Sequence, residues 1–98
     1  MKTILSLSQL PGTVYVHLTT PEQGRQFLER AEAEGFTYCD GEKPTAREAA
    51  EIMAVNPDMT LNFVGFCGRM AYGSGIQTIG NRPLIRIEYG QWDGTDNP

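Results

Sequence analysis

The chain has 98 residues, 40% of them hydrophobic and 20% charged, with a formal net charge of −4. That length fits one domain and that composition is too apolar for a disordered chain. The acidic balance speaks against a general nucleic-acid binder, whose phosphate contacts need a basic face.

In chain order, "MKTILSLSQLPG" is broken by Ser6, Ser8 and Gln9 and lacks the uninterrupted apolar stretch of a signal peptide. No segment reaches membrane-spanning length, so a cytoplasmic protein that does not engage a membrane is expected. The apolar run "ILSLSQL" leaves open pairing between subunits of a homo-oligomer. "TVYVHL" alternates, with Val14, Val16 and Leu18 on one face and Tyr15 and His17 on the other, as a half-buried strand does. In "TTPEQGRQFLERAEAEG" Thr20 caps a helix, Pro21 takes its first position and Gln23 completes a capping box. Phe27, Leu28 and Ala31 form the apolar stripe and Gly35 the left-handed stop. "FTYC", Phe36 to Cys39, reads as a second strand, parallel to the first through a right-handed crossover.

After the loop "DGEKPT", Thr45 and Glu48 suggest another capping box for a shorter helix with Ala46, Ala49, Ala50 and Met53 on one face. Residues 52–55 read equally as helix or strand. "VNPDMT" is a turn built on Asn56, Pro57 and Asp58, and "TLNFVGF" is the returning strand. The glycine-rich stretch that follows reads as bulges and turns. "PLIRIEY" alternates again, with Ile85, Ile87 and Tyr89 inward and Arg86 and Glu88 outward. The fold expected is α+β: one domain over 1–91, a mixed sheet of about four strands, one long helix on one face and a shorter second helix. Residues 92–98 are expected to be a flexible tail, with Trp92 its one candidate anchor.

Chemistry-bearing patterns are sparse. "GSGIQTIG" has neither the Lys-Ser/Thr pair of a phosphate-binding P-loop nor a following helix. An irregular anion site stays open there: backbone N–H groups of the Gly73 to Gly75 bend, Arg69 or Arg82 as counter-charge, and Tyr72 as a stacking face for a nucleotide-type ligand. His17, the single histidine, has no evident orienting partner, and Cys39 and Cys67 form no C-x-x-C pair. Free thiols in a reducing interior are expected, one disulfide being the alternative. No metal site, cofactor or enzymatic activity is expected from these spacings. Charge, however, is segregated. From Glu22 to Glu51 eight acids face four bases, whereas from Ile52 to Gln91 two acids face three bases. Such an acidic face is either a solvated surface or a docking surface for a basic groove, in which carboxylates take the place of nucleic-acid phosphates.

The runs "TPEQGRQFLERAEAEGFTYCDGEKPT" and "IMAVNPDMTLNFVGFCGRMAYGSG" resemble a theme of short phage and prophage proteins. In these a strand and a capped helix precede glycine, an aromatic residue, a spacer, Trp or Tyr, and cysteine. Here Tyr38 stands where many members carry Trp. The resemblance brings no catalytic residue with it. It implies a mobile-element accessory protein of anti-defence type, as anti-CRISPR proteins are. The expected task is non-enzymatic inhibition of a host protein, such as a nucleic-acid-binding nuclease, through Glu29, Glu32, Glu48 and Glu51. Capture of an anionic ligand by Arg69, Tyr72, Gly73, Gly75 and Arg82 is the second expectation, and a structural phage component the third.

Overall fold

A computed structural model describes residues 3–79 and 81–93, with the backbone alone described at Phe66, Cys67 and Asp93. The expectations for Gly80, the Cys67 thiol and residues 94–98 lie outside the described residues.

The N-terminal apolar run is a short helix, α1 (Ile4–Ser8), started by Thr3, whose hydroxyl accepts from the Ser6 N–H. Helical spacing puts Ile4 and Leu7 on one side, and both are buried in the core. The apolar side of this run covers this chain's own sheet. Strand β1 (Thr13–His17) and helix α2 (Pro21–Ala33) follow as the alternation and capping box predict. The Thr20 hydroxyl accepts from the Gln23 N–H at 3.1 Å, and the Gln23 side chain accepts from Thr19 N–H and hydroxyl at 3.0 and 3.1 Å. At the other end Gly35, at φ +94°, closes the helix. Its N–H reaches the Glu32 carbonyl and the Phe36 N–H reaches that of Ala31, so the last carbonyls are satisfied.

Strand β2 is only Thr37–Tyr38. The helix expected after Thr45 is absent: a three-residue 3-10 turn, Pro44–Ala46, leads into extended backbone at Arg47 (φ −134°, ψ 157°). Two causes are visible. The Thr45 N–H, from which Glu48 would accept in a capping box, donates instead to the Glu32 carboxylate at 3.2 Å. Ile52, Met53, Ala54 and Val55 are all buried, which suits a strand covered on both faces and not a one-sided helical stripe. They form β3 (Ile52–Val55), joined to β4 (Thr60–Phe63) by a turn in which Met59 takes φ 65°. The glycine-rich region, read as turns, contains helix α3 (Phe66–Gly73), then β5 (Thr78–Ile79), β6 (Arg82–Glu88) and α4 (Tyr89–Asp93).

Six strands thus form one mixed sheet in the order β2-β4-β3-β1-β6-β5. Strand β1 runs antiparallel to β3 and parallel to β6, and β2 runs parallel to β4. Because β4 is antiparallel to β3, β1 and β2 point the same way, as the crossover reading requires, with two strands between them. One sheet face, with Val14, Val16, Met53, Val55 and Leu61, packs under α1 and α2 in the main core. The other carries Tyr15, Ile52 and Ala54, which pack with Val64 and Tyr72. Trp92 packs at the edge of the main core, 5.7 Å from the Tyr89 ring and under the Arg30 guanidinium.

Candidate functional site

The cap of α2 has a consequence at the end of the sheet. Strand β1 must turn at Thr19 and Thr20 to enter the helix, so its pairing with the chain before β3 stops at one bond, Leu18 N–H to the Glu51 carbonyl at 2.8 Å. Beyond that bond residues 48–50 diverge, and the two chains enclose a groove of about 790 Å³. Gly24 lets the walls approach: a Cβ there would lie 3.0 Å from that of Ala49. Leu18, Leu28, Ala46, Ala49 and Ala50 supply the apolar lining, and the exposed Glu29, Glu48 and Glu51 supply negative charge.

Two cations also line the groove, Arg25 and Arg47. Arg47 is committed elsewhere. Its guanidinium contacts Asp40 at 2.6 Å and also Glu42, and it lies 5.1 Å from the Tyr38 ring centroid. The Glu42 backbone N–H, with help from Arg47, holds the Asp40 carboxyl below its usual range, and the same pairing raises Arg47. The groove therefore carries more free negative than positive charge.

Of the four predicted contact residues, three meet here. Glu32 does not line the groove. It accepts from both the hydroxyl and the N–H of Thr45, which hold its carboxyl below the ordinary value, and so latches α2 to the 3-10 turn. Glu51 reaches the other way as well, with Oε2 3.2 Å from His17 Nε2.

That contact leads to a polar cluster the sequence reading missed. The β1–β6 register sets His17 beside Glu88 and Tyr15 beside Arg86. His17 Nδ1 lies 2.9 Å from Glu88 Oε1. The Tyr72 hydroxyl of α3 donates to the other Glu88 oxygen, with the Tyr72 ring 5.4 Å from the imidazole. Desolvation pushes Glu88 up, but the bonds from Tyr72 and His17 outweigh it and leave the carboxyl below its usual range. Burial first, and then the Glu88 carboxylate, push the Tyr72 phenol up, so it stays a proton donor. Histidine thus has two carboxylate partners where none was evident from the sequence. The available signal was parity: His17 and Glu88 were both placed on the outward side of their strands.

The second predicted constellation is arranged differently from expectation. Arg69 is exposed on α3, Arg82 is exposed at the start of β6, and Tyr72 is engaged with Glu88. The bend at Gly73 to Gly75 is the C-terminal end of α3, with Gly75 at φ +80°. A helix C-terminus presents carbonyls and the negative end of the dipole, which suits a cation. Arg86 fills that role, donating to the carbonyls of Ala71, Tyr72 and Ile76 at 3.0, 2.7 and 2.6 Å.

Cys39 is exposed as a free thiol and accepts from the Asn62 side-chain amide at 3.2 Å. Among the described residues no group of three His, Cys, Asp or Glu could hold a metal ion, and no helix is long and apolar enough to cross a membrane. No family model, curated protein or solved structure matches the chain.

Proposed function

We propose that this protein acts by binding, without chemistry of its own, and holds a basic segment of a partner protein in the groove between α2 and residues 48–51. The observation that carries this reading is the coincidence of Glu29, Glu48 and Glu51 on an open groove whose lining is apolar. Apolar lining supplies contact area, while exposed carboxylates steer a cationic partner and reject anionic ones. The resemblance to short phage proteins supplies the partner class: a cytoplasmic host defence protein that handles nucleic acid, inhibited because its phosphate-binding surface is occupied.

Glu29 and Glu48 form no ion pair among the described residues, so reversing them leaves the fold's own bonds in place. The immobilised protein should retain a host protein that a short nucleic-acid duplex displaces, and the E29K/E48K double variant should lose it. Retention of the same partner by the variant at low salt, or indifference to the duplex, refutes the reading.

A further inference from the structure

The backbone beside the groove differs on its two walls. On the α2 side the Thr19 N–H and hydroxyl both donate to the Gln23 side chain, which is itself 7% exposed. On the other side, among the described residues, the N–H and C=O groups of Glu48, Ala49 and Ala50 take part in no hydrogen bond within the protein. They belong to non-helical backbone, extended at Arg47, that runs directly into β3. Strand β1 leaves this backbone after the Leu18–Glu51 bond, and β4 leaves it after the Val64 N–H to Ile52 carbonyl bond at 3.0 Å. The lead-in to β3 therefore overhangs the sheet as a piece of open edge.

Open sheet edges are templates for pairing with another chain. We infer that the groove takes its partner as an extended basic strand, added alongside Glu48–Ala50 where β1 departs. This rests on the reading of the groove as a site for a basic segment and specifies its geometry. Strand addition gives affinity through main-chain bonds and specificity through alternate side chains. With a repeat of two residues, Glu48 and Ala50 fall on one side of the pairing and Ala49 and Glu51 on the other, so each set of partner side chains meets one acidic and one apolar position. Small residues at Ala49 and Ala50 leave room for a second backbone at close range, which larger side chains would fill. A helical ligand would pair with none of the open N–H and C=O groups. Charge selects the sign of the partner: Arg47 is neutralised by Asp40 and Glu42, which leaves Arg25 against three carboxylates.

The test uses the full chain and a short blocked peptide alternating valine and lysine, in two forms, unmodified and N-methylated at alternate amides. Methylation removes backbone donors and keeps every charge. The unmodified peptide should bind and should slow amide exchange at residues 48–50. The methylated form should bind about tenfold more weakly or worse, the loss expected for two net hydrogen bonds. Equal affinity of the two forms, amides at 48–50 that keep exchanging at their free rate, or no binding of either peptide at low salt overturns strand addition. The underlying reading is tested separately. If both forms bind equally but E29K/E48K abolishes binding, the acidic groove stands and only the strand geometry falls. If E29K/E48K leaves both affinities and host-protein retention unchanged, the acidic groove itself is wrong.

Discussion

Tyr72, Glu88 and His17 come from α3, β6 and β1, and their contacts hold α3 against the sheet. Glu88 has a folded pKa below its unfolded value, so its contribution is fully present above the unfolded pKa and lost as pH falls through the folded one. Tyr72→Phe removes the donor that helps depress it. The expected loss is about 1 kcal/mol near neutral pH, at the low end for a bond to a charged group because the Glu88 side chain is 37% exposed. The difference from the parent protein should shrink as pH falls below the ordinary carboxylate range. Urea unfolding at a series of pH values measures it, and a constant difference would mean that Glu88 is not the acceptor. Little of this cluster was legible beforehand. Tyr72 was valued as a stacking face and His17 lacked a partner, because 71 positions separate His17 from Glu88 and only strand pairing closes that gap.

Local chemistry decides an element when both of its ends can be read. Helix α2 has its cap, its proline at the first position and its glycine stop within one stretch, and all three act as read. Thr20→Ala should cost about 1 kcal/mol, as loss of an N-cap does, seen as a lower urea midpoint at unchanged slope. Because the same turn forms one groove wall, peptide affinity should fall with it. The segment after Thr45 had a comparable start signal, yet the Thr45 N–H of its capping box is taken by Glu32 and Met53, on its apolar face, is buried in the sheet. Tertiary burial overrides propensity there. The glycine-rich segment misled in the opposite direction. Gly68 reads as a helix breaker but sits inside α3, where a Cβ would approach a Val64 methyl to 2.2 Å and the Tyr15 hydroxyl to 3.5 Å. The glycine lets the helix lie close to the sheet.

Across the whole molecule, the acidic surface is smaller than the count of carboxylates implies. Glu34 turns inward to accept from the Ile4 and Leu5 N–H groups at the start of α1. Glu32 is tied to Thr45, and Asp40 and Glu42 are tied to Arg47. Among the described residues Glu29 and Glu48 are the groove acids in no ion pair, with Glu51 shared with His17. Long-range attraction to a basic partner then depends on few charges plus the net charge of −4. Raising salt from about 0.1 M to about 1 M shortens the screening length from about 10 Å to about 3 Å. The association rate of the peptide should fall about tenfold or more over that range, while its dissociation rate changes little. Stopped-flow mixing separates the two, and a salt-insensitive association rate would remove steering from the mechanism.

By itself the sequence determined what short-range forces decide: the alternation of β1 and β6, the capped span of α2, the Asn56–Thr60 turn, and the acidity of residues 22–51. Only the tertiary structure decided which way each backbone went when two local readings were equal, and which distant side chains became neighbours. It made 52–55 a central strand, set His17 beside Glu88, and placed Glu29, Glu48 and Glu51 around one groove. The physical reason is range. Caps and periodicities act over one turn or one strand, whereas strand order and register follow from burying both faces of a sheet at once, a condition that no single segment contains.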